Sequence, residues 1–443
     1  MGADASSLAA AEAWLEGLIN LERERAPRRA RLSLAPIRAL LDRLGAPERG
    51  LSVLHVAGSK GKGSTALFAE SVLRAAGARV GTFTSPHLER WTERFRIDGE
   101  EVAPERLAAA VETLRPHAEA LRAAGGDTVP SFFDAITAAA LLIFRELRVD
   151  HAVLEVGLGG RLDSTNAVMP AVCAITSIEL EHTDLLGDTL AAVAAEKAGI
   201  LKPGVPAVCG ELPPEALAVV ERRAAELGCP LARLGREIEA EVEVEGPDAT
   251  RLRYREGELC FEAQIAAPGA HQAANAALAV AAVRRVLAST SPDRLAAAAR
   301  AGLATAVLPA RVEIVSRAPW IVVDAAHTGA SARALAEVLR RIGAPVDFVL
   351  SVSAGKDTAA ILDALLPLAR SLTLTRAEPV RSLDPRRIAA AARAVQPEVE
   401  LRVVPNPHLA LRAAREALTP DGLLCATGSV YLAGIARRVL REP

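Results

Sequence analysis

Apolar positions recur at helical spacing from about residue 8 to 48, and "PIRALLDRLGAP" closes that amphipathic stretch at Gly45 and Pro47. From Leu51 the pattern changes. Short β-branched runs, "LSVLHVA", "ARVGTFTS", "HAVLEVG" and "AVCAITSI", alternate with Ala- and Leu-rich helical runs. Such runs predict a parallel sheet covered by helices on both faces. Between Glu239 and Ile265 polar and apolar residues alternate one by one, as in "TRLRYREGELCFEAQI", which predicts a small antiparallel patch. A helix follows through "HQAANAALAVAAVRRVL". After "LPARVEIVS" a second alternation begins, with strands at "WIVVDAAH", "DFVLSVS", "SLTLTRA", "LRVVPN" and "GLLCATGS". The pattern predicts two α/β domains: residues 1–308 with the parallel sheet and the antiparallel patch, and a smaller Rossmann-like domain over 309–443.

Length agrees with this division, since 443 residues exceed one ordinary core. Lysine plus arginine at 52 against aspartate plus glutamate at 54 leave a net charge of −2, so composition gives no support for a nucleic-acid partner or an anionic membrane surface. The five cysteines are scattered and form no C-x-x-C pair, which fits a reducing, cytoplasmic setting better than a disulfide framework or a zinc site. No secretory leader pattern and no bilayer-length apolar run is present; "MGADAS" formally matches a short lipidation pattern without basic residues to support it.

Chemistry concentrates where apolar strands end. "LSVLHVAGSKGKGSTA" reads as strand, glycine-rich turn and helix, yet departs from G-x-x-x-x-G-K-[ST]. Backbone N–H groups of Gly58, Ser59, Lys60, Gly61 and Gly63 could surround phosphate oxygens, with Lys62 reaching the terminal phosphates and Ser64 or Thr65 supporting magnesium. The plainer reading is a strand-to-helix turn with a surface lysine. Glu155 ends an apolar strand before "GLGGRLDSTN" and is either a magnesium ligand or a capping, salt-bridged glutamate. His182 in "ELEHTDLLGDT" is unusual for a hard cation, and reads equally as a hydrogen-bonding loop histidine. Ser85 lies at another strand end. Lys197 in "AAEKAGILKPG" reads as a lysine whose charge complements a helix C-terminus. In the second alternation Asp324 and His327 follow a strand, where the aspartate could hold a ribose hydroxyl; Arg311 is either a phosphate contact or a linker arginine.

Nine segments in order now carry a resemblance over nearly the whole chain: "HVAGSKGKGST", "TSPHLERWTERFRIDGE", "PSFFDAITAAAL", "LEVGLGGRLDSTN", "EHTDLLGDTLAAVAAEKAGILKPG", "HQAANAALA", "LPARVEIV", "DAAH" and "ATGSVYLAG". The chain resembles the Mur ligase superfamily, and within it the dihydrofolate synthase/folylpolyglutamate synthase family. The resemblance implies an ATPase domain with a folate site over 1–308 and a glutamate- and nucleotide-binding domain over 309–443. It implies an ATP-dependent ligation: a substrate carboxylate takes the γ-phosphate to give an acyl phosphate, and the amine of L-glutamate displaces phosphate. Matching positions imply Lys62 as the phosphate lysine and Ser64, Ser85, Glu155, His182 and a carbamylated Lys197 as ligands for two magnesium ions. They imply Asn275, Arg311, Asp324 and His327 as nucleotide contacts. They also imply Phe132, Phe133, Asp134, Arg161, Asp163 and Ser164 as pterin contacts, with core packing as the plain alternative for the two phenylalanines. Folate or dihydropteroate is the implied acceptor, and a cytoplasmic monomer the implied state.

Three departures from the family pattern stand out: "GSKGKGS" for "GTNGKGS", "DAAHTG" for "DGAHNP", and "SLAP" at Ser33–Pro36 for "GLER". The last falls where bifunctional members build their dihydropteroate site, so that second activity rests on fewer matching residues. Two other readings are a Mur-type amide ligase with a non-folate acceptor, for which little chain precedes the loop, and a non-catalytic nucleotide-binding protein.

Overall fold

The computed structural model describes residues 4–19, 33–245 and 249–441. Its chain divides into two compact units: one of residues up to Glu241 with Leu252–Ala263 and Ala274–Ala306, the other of Val242–Arg251, Gln264–Ala273 and Val307 onward. The helical stretch expected near the start is seen as Asp4–Glu16 and Ala35–Arg43, and its middle lies outside the described residues. In the second helix Pro36 stands in the first turn, where its missing N–H costs nothing, and the Ser33 hydroxyl accepts from Ala35 N at 3.1 Å. "SLAP" is therefore a helix start.

The first unit is built on eight strands: β1 Ser52–Ala57, β2 Val80–Phe83, β3 Phe95–Ile97, β4 Glu100–Glu101, β5 His151–Glu155, β6 Val172–Ile175, β7 Ala207–Cys209 and β8 Leu231–Arg233. Their order is β4-β3-β2-β5-β1-β6-β7-β8. From β2 to β8 all pairs are parallel, whereas β3 runs antiparallel to β2 and β4 to β3. The expected parallel sheet is thus present, with two short antiparallel strands added at one edge, where only an eleven-residue loop separates β2 from β3, too short for a helical crossover. The chain leaves β1 for β2 on one side and β5 for β6 on the other, so the crevice for a ligand opens at the carboxyl ends of β1 and β5. Residues of β1 and β5 are almost wholly buried; the helix Lys62–Ala75 packs on β1, β2 and β5, and the helix Phe132–Glu146 on β2, where the buried Phe144 side chain lies over Gly81. Burying such a side chain stabilises the fold by about 1.5–3 kcal/mol.

Strands β9 Glu239–Glu245, β10 Ala249–Glu256 and β11 Leu259–Ile265 form a three-stranded sheet in the order β11-β10-β9. Alternate residues of β11 are buried, as period two requires. The second unit holds a six-stranded sheet of β12 Glu313–Arg317, β13 Trp320–Val323, β14 Val346–Leu350, β15 Ala369–Leu374, β16 Glu400–Val403 and β17 Leu423–Thr427, ordered β12-β13-β17-β14-β15-β16. All its pairs are parallel except β12 with β13. Among the described residues no helix is long and apolar enough to cross a membrane, and all five cysteines are free thiols.

Candidate active site

The glycine loop leaves β1 and turns into the helix Lys62–Ala75, with Gly61 as N-cap in the left-handed region at φ 83°. A Cβ at Gly61 would lie 2.2 Å from Asn275 Oδ1, so only glycine fits, and Asn275 is brought against the loop. The segment after β6 laces the loop in place. Ser59 N donates to Ser177 O at 2.8 Å, Lys60 N to Ser177 Oγ at 2.8 Å, and Thr176 Oγ1 to Lys60 O at 2.5 Å. Sequence patterning singles out neither Thr176 nor Ser177; a polar run just past an apolar strand is the only signal they give.

Two ammonium groups converge on one carbonyl. Lys62 Nζ folds back to Gly58 O at 3.0 Å, and Lys197 Nζ, from the helix Leu190–Ala198, reaches the same oxygen at 3.0 Å. Glu181 balances them: it accepts from Lys197 at 2.8 Å and lies 3.5 Å from Lys60 Nζ. Burial and the neighbouring Lys62 push the Lys197 ammonium down to about 8, with Glu181 opposing them. Burial alone would push Glu181 up, but Lys197, Lys62 and Lys60 hold it down at about 2. Lys197 stands in the last turn of its helix, as read from the sequence, and its side chain is 1% exposed, with Glu181 and the Gly58 carbonyl as its partners. Motif reading gives Glu181 no role, although it opens the segment "EHTDLLGDT".

Glu155 ends β5, is 5% exposed, and accepts from Ser85 N at 3.0 Å. A Cβ at Gly63 would stand 3.4 Å from a Glu155 oxygen, so the first turn that carries buried Ser64, the end of β2 and the end of β5 meet in one place. A carboxylate with two serine hydroxyls is an all-oxygen donor set that fits a hard cation such as magnesium. His182 is exposed, adjoins Glu181 in the chain, and caps the short helix Thr183–Leu186 in a left-handed conformation. Among the described residues no group of three or more His, Cys, Asp or Glu could hold a metal. Lys197 Nζ lies 2.8 Å from Glu181 Oε1, and a carbamate in its place would face Glu181 with like charge.

The segments read as pterin contacts are bound to one another. Phe132 is 1% exposed, edge-on to Trp91 at 5.4 Å and beneath the Arg94 guanidinium, so core packing is the reading that fits it. Half-buried Phe133 lies 5.9 Å from Phe83 and against Gly157. Asp134 closes a capping box with Ser131 and accepts from Ser164 Oγ at 2.7 Å. Asp163 accepts from Leu158 N at 2.8 Å and from Thr165 Oγ1 at 2.5 Å; burial pushes its carboxyl up to about 6. Arg161 pairs with Glu196 at 2.8 Å. Behind this turn, His55 on β1 meets Thr165 Oγ1 at 2.8 Å, a buried contact that ties the phosphate-loop strand to the 158–166 turn and that no motif announces.

In the second unit Asp324 follows β13. Its oxygens accept from Val312 N and Ala326 N, each at 2.7 Å, and Arg311 lies close enough to oppose the upward push of burial on its carboxyl. His327 Nδ1 contacts Ala325 O at 2.9 Å. The "DAAHTG" departure has a local account: Thr328 is the N-cap of the helix Gly329–Ile342, and a Cβ at Gly329 would come 2.6 Å from that of Ala360.

Residues 56–283 match the Mur ligase middle domain and residues 310–430 the glutamate ligase domain of Mur ligases. Among curated relatives, the Mycobacterium tuberculosis dihydrofolate synthase/folylpolyglutamate synthase is 34% identical over 447 residues, covering 93% of this chain and 91% of that protein. A protein of Haloferax volcanii named as a probable bifunctional folylpolyglutamate synthase/dihydropteroate synthase is 36% identical over 410 residues; the match takes 90% of this chain but only 47% of that longer protein. Among solved structures, M. tuberculosis folylpolyglutamate synthase complexed with ADP and AMPPCP superposes with a TM-score of 0.89 at 31% identity, over 99% of both chains. Fold and site thus define a Mur-type ligase. Within that class, the chain belongs to the dihydrofolate synthase/folylpolyglutamate synthase family.

Proposed function

We propose that this protein is an ATP-dependent ligase that joins L-glutamate to folates, with 7,8-dihydropteroate as a second acceptor. The observation that carries the reading is the lysine cluster around Gly58, placed at the carboxyl end of β1 where a nucleotide phosphate chain would lie. Lys62 exchanges Gly58 O for the terminal phosphates, and loop N–H groups hold the rest. The acceptor carboxylate then attacks the γ-phosphorus, ADP leaves, and an acyl phosphate remains. The amine of L-glutamate attacks its carbonyl carbon, phosphate departs, and the amine gives up a proton as the amide forms.

Positive charge matters more than a general base in the first step, because an anion approaches a polyanion. Magnesium, held by Ser64, Ser85, Glu155 and His182, supplies further neutralisation when bound. A carbamylated Lys197 would join that set: its ammonium, pushed down to about 8, leaves more neutral amine to add to carbon dioxide with loss of a proton, and Glu181 would then pair with another cation. Asn275, Arg311, Asp324 and His327 serve the nucleotide. Phe133 offers the ring for the pterin, within the walls that Asp134, Asp163 and Ser164 hold. Residues 1–308 act as the ATP and folate domain and 309–443 as the glutamate domain, in a cytoplasmic monomer.

The test is ADP release with ATP, magnesium and L-glutamate, comparing tetrahydrofolate with 7,8-dihydropteroate and weighing the products. Turnover with both acceptors is expected, and Lys197→Ala should fold normally but turn over at least about a hundredfold more slowly. No ADP release with either pterin would reject the folate assignment.

A further inference from the structure

Arg311 sits between two non-glycine residues in left-handed backbone, Ala310 at φ 52° and Val312 at φ 49°. For a β-branched residue this is a rare conformation that persists only where its surroundings enforce it, and such enforcement clusters at functional positions. Four hydrogen bonds enforce it here. Ala310 N donates to Glu313 Oε2 at 2.7 Å, Val312 N to Asp324 Oδ2 at 2.7 Å, Ala325 N to Ala310 O at 3.0 Å, and Arg311 N to Leu308 O at 3.3 Å. Pairing of Glu313 with Val323 across β12 and β13 sets Val312 beside Asp324.

The Glu313 oxygen that receives Ala310 N also accepts from Arg437 Nε at 2.8 Å, and its other oxygen accepts from Arg441. The Arg437 and Glu313 side chains are only 10% and 12% exposed. Both arginines belong to the helix Val430–Arg441, which begins inside "ATGSVYLAG" and packs on β12, β13 and β17. Two carboxylates thus fix the backbone N–H groups of Ala310 and Val312, the residues on either side of Arg311. One of those carboxylates is itself fixed by the last described helix.

We propose that Glu313 and Arg437 are positioning residues: by clamping the Ala310–Val312 turn they hold the Arg311 guanidinium where it receives the nucleotide phosphates, without touching nucleotide themselves. Asp324 acts from the other side of the turn through the same backbone. This rests on the ligase reading above, and specifically on Arg311 as a nucleotide contact. A guanidinium on a loosened turn must be ordered at each binding event, so the loss falls on nucleotide affinity. The acceptor and glutamate sites are left as they were.

The experiment compares wild type, Glu313→Gln, Arg437→Met, their double variant and Arg437→Lys. It measures the ADP dissociation constant by calorimetry, the KM for ATP, acceptor and glutamate, and the thermal midpoint. Each single variant should weaken ADP binding and raise the KM for ATP by about tenfold, with kcat within about twofold and the other KM values unchanged. The double variant should be little worse than either single one, because both break one clamp. Arg437→Lys should recover part of the affinity. Variants with a lowered thermal midpoint and wild-type nucleotide affinity would overturn the proposal, reducing the ion pair to a structural one while leaving the ligase reading intact. A wild-type chain that binds no adenine nucleotide would overturn both.

Discussion

His55 and Asp163 show how a buried pair of polar residues can be read down to the proton. The Thr165 hydroxyl gives its hydrogen to Asp163 at 2.5 Å, so it must receive one from His55 Nε2. That leaves His55 Nδ1 as a bare lone pair without a hydrogen-bond partner among the described residues, and burial together with Lys202 pushes the imidazole down to about 3, keeping it neutral. Asp163 moves the other way, to about 6, because burial outweighs the donors from Thr165 and Leu158. Its folded pKa lies above the ordinary 3.8, so the native state binds the proton more tightly. The stability this confers is complete below pH 3.8 and lost as pH rises through about 6. Asp163→Asn removes the titration and one acceptor. The variant should be less stable than wild type at about pH 4, and the gap in thermal midpoint should narrow by about pH 7. A gap constant across that range would show that Asp163 does not titrate there. None of this could be read from "GLGGRLDSTN", where the aspartate stands among surface-type residues and its partner lies 108 positions away.

Long elements announced themselves, short ones did not. The helices Lys62–Ala75 and Ala270–Val286 were readable from their length and composition, and strands β1, β2, β5, β6 and β13 to β17 as β-branched or apolar runs set between helical stretches. Strands β3, β4, β7 and β8 have two or three residues each and no period to detect; neighbouring strands recruit them. The turn from β1 into its helix was readable for another reason, since a glycine triplet after a buried strand has few uses. Gly61→Ala tests how tightly that element is built. A methyl group must enter left-handed backbone and meet Asn275, so kcat/KM for ATP should fall at least about tenfold, with the KM of the pterin acceptor unchanged. Equal losses for both substrates would mean that the whole unit had been disturbed.

For the molecule as a whole, the two α/β units and their chemistry class followed from patterning and ordered motifs, while the charge balance of the site did not. Glu181 meets Lys60 across 121 positions, and the lacing of Thr176 and Ser177 to the loop spans a similar distance. Such contacts exist only after β1 and β6 pair. Ligand linkage gives a test on the entire chain: ADP at about a hundred times its dissociation constant adds about 2.7 kcal/mol of stability. The thermal midpoint should therefore rise by a few degrees in wild type and stay fixed in Lys62→Ala; equal shifts in both would remove Lys62 from the nucleotide site. The two lysines that share the Gly58 carbonyl have one last consequence. They keep the loop in shape by contacts internal to the protein, so its conformational entropy is surrendered during folding rather than at each catalytic cycle. On the proposed reading, a nucleotide would meet a loop whose backbone is already held by the protein's own contacts.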